Sequence, residues 1–256
     1  MTPGEWLLYA QKRLGELPSS YLVFDIETTG LDTNVDLPAQ LGWAVVDSGK
    51  VVDSGARFMD WLSDRSPEDS DWIEGRIART KQQFEFKNGF ATGNVYSVSA
   101  ERMRAGEKPV KVLSDFFELV ADCRKNGFSF LAHNGLRHDQ PIIDRVMSEV
   151  SGGEMRFRFK PCEYFDTLSI EKSVQIFPEL VPNESWLDFS RRAYHLGGYR
   201  VRGSLDRHCS AKYDLANKHG LCMQSAHEAD FDCILTHHLL QEYKHIARTA
   251  ERLPHA

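Results

Sequence analysis

Tyr21-Leu22-Val23-Phe24-Asp25-Ile26-Glu27-Thr28-Thr29-Gly30-Leu31 is the stretch on which the reading of this chain turns. Residues 21–24 are a short apolar run of the kind that makes a buried strand. The run ends in an acidic pair at i and i+2, a spacing that points both carboxylates to one face of a strand. Two like charges beside an apolar strand repel each other and lose water, so they need a counter-charge to stay ionised. A divalent cation is the natural candidate, because hard oxygen ligands suit magnesium or manganese. Thr28-Thr29-Gly30 then supplies turn residues and free backbone N–H groups where the strand stops. Taken alone, the pair also fits an exposed strand end carrying two solvated acids, and the remaining chain has to decide between the two.

The 256 residues, 41% hydrophobic and 27% charged, are enough for one large globular domain. A formal net charge of −6 gives no overall basic field to draw in nucleic acid. That argues only weakly against such a substrate, since metal ions and a local basic patch can neutralise a few phosphates. The five cysteines, Cys123, Cys162, Cys209, Cys222 and Cys233, are odd in number and form no Cys-x-x-Cys pair. A reduced, intracellular protein without a zinc knuckle is expected. The stretch Met1-Thr2-Pro3-Gly4-Glu5-Trp6 has no basic run before an apolar segment, and no window approaches a membrane span. The cytoplasm is the expected compartment, with no membrane partner.

Residues 3–15 read as a short amphipathic helix, expected to pack across a sheet edge. After the acidic strand, residues 41–46 and 51–58 are two strands joined through Asp47-Ser48-Gly49-Lys50, a hairpin signal. Three strands in succession suggest an antiparallel start to the sheet, and the helix-rich remainder fits a mixed sheet covered on both faces. Residues 61–93 combine an acidic stretch (Asp64, Glu68, Asp69, Asp71), a plausible helix from Trp72 to Phe84, and the aromatics Trp61, Trp72, Phe84, Phe86 and Phe90. They read either as a solvated surface elaboration or as a lid over a substrate, and the aromatics must bury against the body or a partner.

Residues 110–125 carry Val112, Leu113, Phe116, Phe117 and Val120 at helical spacing, and Asn126-Gly127 ends that helix. Residues 128–134 are a strand that leads through Gly135-Leu136-Arg137-His138 into a helix opened by Asp139, with Pro141 in its first turn. An acid in a first turn is favoured by the helix dipole, so capping is the plain alternative for Asp139. Residues 163–168 read as the last strand. Arg191, Arg192, Arg200, Arg202, Arg207 and Lys212 gather positive charge near Gly197-Gly198 and Gly203, as a solvated basic face or a phosphate track. A helix over residues 204–217, capped by Ser204, comes next. Ser225-Ala226-His227-Glu228-Ala229-Asp230-Phe231-Asp232 opens a last amphipathic helix, whose end at residues 248–256 is expected to fray. No repeat or linker divides the chain.

Three of these strings resemble the motifs of the DEDDh (DnaQ-like) 3′–5′ exonucleases, which have a ribonuclease H-like fold. Residues 21–31 are similar to the first motif. The strand ending in His133-Asn134, followed by Asp139, is similar to the second. His227-x-Ala229-x-x-Asp232 is similar to the third. The chain departs from the family in the length of residues 61–93 and in His138, where many relatives have Phe. Asp166, within Asp-Thr-Leu, matches a recurrent family string and is expected to be structural rather than a ligand. The resemblance implies an α/β fold with a mixed five-stranded sheet and helices on both faces. It implies a single exonuclease domain over residues 1–256, with residues 1–18 as an N-terminal helix and 61–93 as an insertion.

By the same resemblance, Asp25, Glu27, Asp139 and Asp232 hold two divalent metal ions, Mg2+ or Mn2+. Asp25 bridges the ions, Glu27 and Asp232 hold one of them, and Asp139 acts through water. His227 is the general base, and its reference pKa near neutrality suits the role. Thr28, Thr29 and Leu31 seat the 3′-terminal nucleotide, the leucine as a wedge against the base. The implied activity is two-metal-ion hydrolysis of single-stranded DNA or RNA from the 3′ end, releasing nucleoside 5′-monophosphates. Two other classes stay open at this point. One is a non-catalytic relative that binds nucleic acid or protein, although such a relative usually loses a carboxylate or the histidine. The other is a phosphodiesterase acting on small nucleotides.

Overall fold

Strand β1 (Tyr21–Thr28) sends alternate side chains to opposite faces, and each row founds a separate core. Leu22, Phe24 and Ile26 belong to one buried cluster, Tyr21 and Val23 to the other. By the same alternation Asp25 and Glu27 continue the Tyr21 row. The computed structural model describes residues 1–88, 96–196, 205, 210–222 and 228–252. Helix α1 (Pro3–Leu14) precedes β1, and β2 (Pro38–Asp47) and β3 (Lys50–Phe58) follow it. Helices α2 (Pro67–Asn88), α3 (Ala100–Arg104) and α4 (Pro109–Lys125) lead to β4 (Ser129–Ala132) and α5 (Asp139–Val150). After β5 (Tyr164–Asp166) come α6 (Thr167–Ile176), α7 (Trp186–Ala193), α8 (Ser210–Lys218) and α9 (Ala229–Arg252).

The five strands form one sheet in the order β3-β2-β1-β4-β5. Strand β1 is antiparallel to β2 and parallel to β4, so the sheet is mixed. The β2–β3 hairpin closes at the expected turn, where Ser48 and Gly49 take φ of 50° and 78°, the left-handed pair that matches strand twist. Ile73, Met103, Leu113, Phe116, Ile142 and Val146 cover the Leu22 face from α2, α3, α4 and α5. Trp6, Ile170, Trp186, Phe189, Leu235 and Leu240 cover the Tyr21 face from α1, α6, α7 and α9. This is the expected ribonuclease H-like α/β architecture, with helices on both faces.

Two expectations need correction. Helix α1 packs against α9 in the second core rather than across a sheet edge, with Gly4 closest to Ala250 and Ile246. Its apolar stripe is buried most fully on another apolar helix. Helix α8 is described from Ser210, and the start expected at Ser204 lies outside the described residues. Helix α9 continues to Arg252 instead of fraying from 248, because Ala247 is still buried against α1.

Residues 61–88 dock on the body. Ile73 and Ile77 of α2 enter the first core with Trp61, and Arg76 forms an ion pair with the fully buried Asp36. Asp36 also accepts from Thr29 Oγ1 at 2.9 Å and from the Asp32 amide at 2.8 Å. Thr80 Oγ1 donates to the Thr29 carbonyl at 3.0 Å. Helix α2 therefore holds the loop that follows β1. Side chains of Phe84 and Phe86, and residue Phe90, lie outside what is described.

Helix α9 meets the sheet at a glycine. A Cβ on Gly42 would fall 2.5 Å from both the Ala229 carbonyl oxygen and the Asp230 amide nitrogen. Gly42 is the β2 partner of Asp25, so this close approach sets the distance between β1 and the first turn of α9. Gly42→Ala should lower stability by about 1–3 kcal/mol, the usual cost of overpacking, and shift Asp232 away from Asp25. Urea unfolding measures the first effect, and an unchanged midpoint would show that the helix yields freely.

A histidine cluster joins the far part of α9 to β1 and α8. Tyr21 accepts from Gln241 Nε2 at 2.9 Å and faces His237 Nδ1 at 2.8 Å, while the His219 and His238 rings stack at 3.8 Å. Burial, then the charge of His219, pulls both His237 and His238 down to about 4. The unfolded chain therefore takes up protons that the folded chain refuses as pH falls from about 6.5 to about 4. This contribution to stability is complete above about pH 6.5 and is lost on the way down to about pH 4. The melting temperature of the metal-free protein should drop through that window, and His238→Gln should make the drop shallower. An equal slope in both proteins would assign the acid sensitivity elsewhere.

Candidate active site

The register of β1 and β2 builds the site. Asp25 pairs with Gly42 and Glu27 with Gln40, so two acids and two residues that touch α9 share one corner of the sheet. Gln40 accepts from the Ala229 amide through Oε1 at 3.0 Å and donates to Glu228 Oε2 through Nε2 at 2.8 Å. It thereby satisfies one of the amides that an α-helix leaves open at its N-terminus. Arg102 of α3 holds Glu228 from the other side, at 2.6 Å to Oε1 and 2.9 Å to Oε2. The start of α9 is thus pinned in depth by Gly42 and laterally by Gln40 and Arg102.

Asp232 lies on the first turn of α9. One carboxylate oxygen from each of Asp25, Glu27 and Asp232 lies within 4.8 Å of the others, and the three form a group able to hold a metal ion. Asp139, only 4% exposed at the first position of α5, lines the same cavity but stands outside that group of three. Burial, then the charges of Asp139, Asp232 and Glu27, push the Asp25 carboxyl well above the usual carboxylate range, with Lys212 opposing them. Burial also raises Asp139, with Asp166 and Glu27 adding to it. Acids in this condition favour either protonation or a cation, and the all-carboxylate donor set suits a hard divalent ion. The residues present fit such an ion.

The cavity, of about 540 Å³, is lined by these four acids and by Thr28, Leu31, His133, Asn134, His138 and Lys212, among others. Asn134 leaves β4 with φ of 68° and donates its amide to Asp166 Oδ1 at 3.1 Å. Asp166 also accepts from Tyr164 Oη and from the Leu168 and Ser169 amides, so it caps α6, as its structural reading expects. His138 Nε2 lies 3.3 Å from Thr28 Oγ1, where the hydroxyl, already donating to the Gly30 carbonyl, accepts. The histidine at the position of the usual Phe thus links the second acidic segment to the first. Asp144 is engaged by Arg156 and Arg158, away from the cavity.

The expected nucleotide contacts divide. Thr28 and Leu31 line the cavity, and Leu31 is 56% exposed at its rim. Thr29 does not line it. Its side chain is fully buried, donates to Asp36 and accepts from the Leu37 amide at 3.0 Å, so its hydroxyl is engaged within the protein. Strict alternation would keep Thr29 on the face of Asp25 and Glu27, but the pairing register shifts between Glu27 and Thr28 and β1 ends at Thr28, so the side chain turns to Asp36 instead. His227 lies outside the described residues, directly before the anchored Glu228. Of the basic set, Arg191 and Arg192 pair with Asp188 and Glu184, and Arg200, Arg202 and Arg207 lie outside the described residues. Lys212 alone of that set lines the cavity among the described residues.

Gln40, Gly42, Arg102 and Glu228 were not distinguishable in the sequence. Their importance comes from cross-strand register and from the crossing of α9, and no local pattern records either. Lys212 carried a signal only as one member of a basic run.

No family model and no curated protein sequence matches this chain. Among solved structures, it is similar to Escherichia coli exonuclease I. The zinc-bound form of an exonuclease I–single-stranded DNA complex matches with a TM-score of 0.56 and 15% identity, over 91% of this chain and 42% of that chain. The complex with a dA16 oligonucleotide matches with a TM-score of 0.56 and 16% identity, over 91% and 43%. A complex described as ExoI/SSB-Ct matches with a TM-score of 0.54 and 15% identity, over 91% and 43%. This chain thus spans less than half the length of the exonuclease I chains. The likeness establishes that it shares the α/β fold of their matching part.

Proposed function

We propose that this protein is a divalent-metal-dependent 3′–5′ exonuclease of the DEDDh type that releases nucleoside 5′-monophosphates from single-stranded nucleic acid. The observation that carries this reading is the convergence of Asp25, Glu27 and Asp232 within 4.8 Å, with Asp139 on the same cavity wall. The single-stranded DNA held by the exonuclease I structures supports the choice of substrate class. A second hollow, of about 500 Å³ and sharing Leu31 and Thr33 with the first, runs along Arg76, Arg79, Thr80 and Gln83 of α2. Its position favours a strand extending past Leu31 over a small nucleotide, and gives the insertion a substrate-facing wall.

Asp25, Glu27 and Asp232 would hold the metal directly, and Asp139 would complete the set. Bound there, divalent ions would offset the charge of the scissile phosphate and raise the acidity of a coordinated water. The chain itself does the rest. Leu31 presents an apolar edge to the terminal base, and Thr28 offers its backbone where β1 ends. Arg137 lies at the cavity wall with its guanidinium 3.7 Å from the Tyr194 ring centroid, a stacked posture suited to a phosphate or base. His227, one residue before Glu228, takes the proton from the attacking water. No helix among the described residues is long and apolar enough to cross a membrane.

Incubation with 3′- and 5′-labelled DNA and RNA oligonucleotides, with and without Mg2+, tests the activity and its polarity. Asp25→Asn should reduce the rate by about 10³-fold or more, roughly 4 kcal/mol of barrier, while the fold survives because like-charge repulsion is relieved. A variant within tenfold of wild type would remove the acids from the mechanism.

His227→Ala should lower turnover by about 10²–10⁴-fold, the usual worth of acid–base catalysis. Its metal titration should match wild type, and the acidic limb of the pH–rate profile should flatten. Loss of metal binding together with turnover would make His227 a ligand instead.

A further inference from the structure

The fold places a cation of its own inside the acidic centre. Lys212 comes from α8, and its side chain is only 4% exposed. Its Nζ lies 2.8 Å from Asp232 Oδ1 as an ion pair and donates a hydrogen bond to Oδ2 at 3.0 Å, while Oδ1 is buried with no hydrogen-bond partner among the described residues. Burial of an ammonium costs several kcal/mol unless matched by opposite charge, and Asp232 with the neighbouring Asp25 and Glu27 supplies the match. The surroundings of Lys212 are otherwise unsuited to a cation. His133, which shares the cavity wall, is pulled down to about 3 by burial and then by the Lys212 charge.

The metal reading and this contact compete for Asp232. An Asp232 oxygen is grouped with Asp25 and Glu27, and a divalent ion brought there would repel the ammonium that already lies within 3 Å of the same carboxylate. The helix that carries the lysine is fixed independently of the contact. Leu215 and Ala216 are buried in the second core, and Lys218 pairs with Glu242 of α9 at 2.6 Å. Any exchange therefore falls to the side chain, whose flexible four-carbon stem and compact charge permit it. The same cavity receives the phosphate in the reading given above.

Resting on that reading, we propose that Lys212 is a displaceable counter-ion: a divalent metal takes Asp232 from it, and the freed ammonium turns to the phosphate of the bound nucleotide. In the metal-free protein it keeps the acids together. In the loaded protein it becomes a phosphate contact drawn from a helix that no motif marks.

Two titrations on metal-free protein, neither of which reads activity, test this. Mn2+ is titrated calorimetrically into wild type, Lys212→Met, Lys212→Gln and Lys212→Arg, with circular dichroism melting to establish that each is folded. AMP and dAMP are then titrated in the presence of Ca2+. Without the competing charge, Lys212→Met or Lys212→Gln should bind Mn2+ about tenfold tighter and the monophosphates about tenfold weaker, and Lys212→Arg should stay close to wild type in both. Unchanged or weaker Mn2+ binding in either neutral variant overturns the counter-ion role. Unchanged nucleotide binding overturns the phosphate contact. Absence of Mn2+ binding in wild type would overturn the metal centre itself and this inference with it. Metal binding without oligonucleotide cleavage would instead fault the nuclease reading alone.

Discussion

Repulsion among carboxylates held at the end of one buried strand is the constraint on which this structure depends. Asp25 and Glu27 cannot separate, because they share a face of β1 by strand geometry. Asp232 and Asp139 are carried to them by α9 and α5, each of which packs in one of the two cores. Burial raises the cost of each negative charge, and proximity raises it again. The surrounding structure has to oppose that cost, through packing around the acids and through positive charge among them.

The packing side is visible in the way α9 is held. Gly42 admits the helix to van der Waals contact with the sheet, Gln40 caps its first amide, and Arg102 grips Glu228. The loop after β1 is held in parallel by the Asp36–Arg76 pair, by Thr29 and by Thr80. Helix α2 thus holds the loop that bears Leu31, besides lining the adjoining hollow. The charge side is visible in Lys212, buried against Asp232 at 2.8 Å. Arrays of this kind, strained by like charge and held by the scaffold, are where perturbed acids and function coincide.

The second core explains why the acidic centre is also tied to distant parts of the chain. Helix α9 carries Asp232 in its first turn, the Tyr21 and histidine contacts in its middle, and the α1 interface toward its end. One long helix therefore couples site geometry to the packing of the N-terminal helix and of α8. A displacement at any of these contacts acts on the carboxylate at the helix start.

Much of this was legible in the sequence, and for stated reasons. The alternation at residues 21–27 determines which face the first two acids occupy, because a strand has a period of two. The apolar patterns and the Asp47–Lys50 turn determine an antiparallel start and helical layers, since local geometry and burial leave few alternatives. Asp139, Ala229 and Asp232 were grouped with Asp25 and Glu27 in the sequence only by the resemblance of their strings to one family's motifs. Gln40, Gly42, Arg102, Lys212 and the inward turn of Thr29 were decided by tertiary structure alone. Each depends on which residue of a second element lies opposite, at ångström precision, and that is set by strand register and helix crossing. Sequence spacing specifies direction along one element, whereas the distance between elements exists only after packing has chosen how they meet.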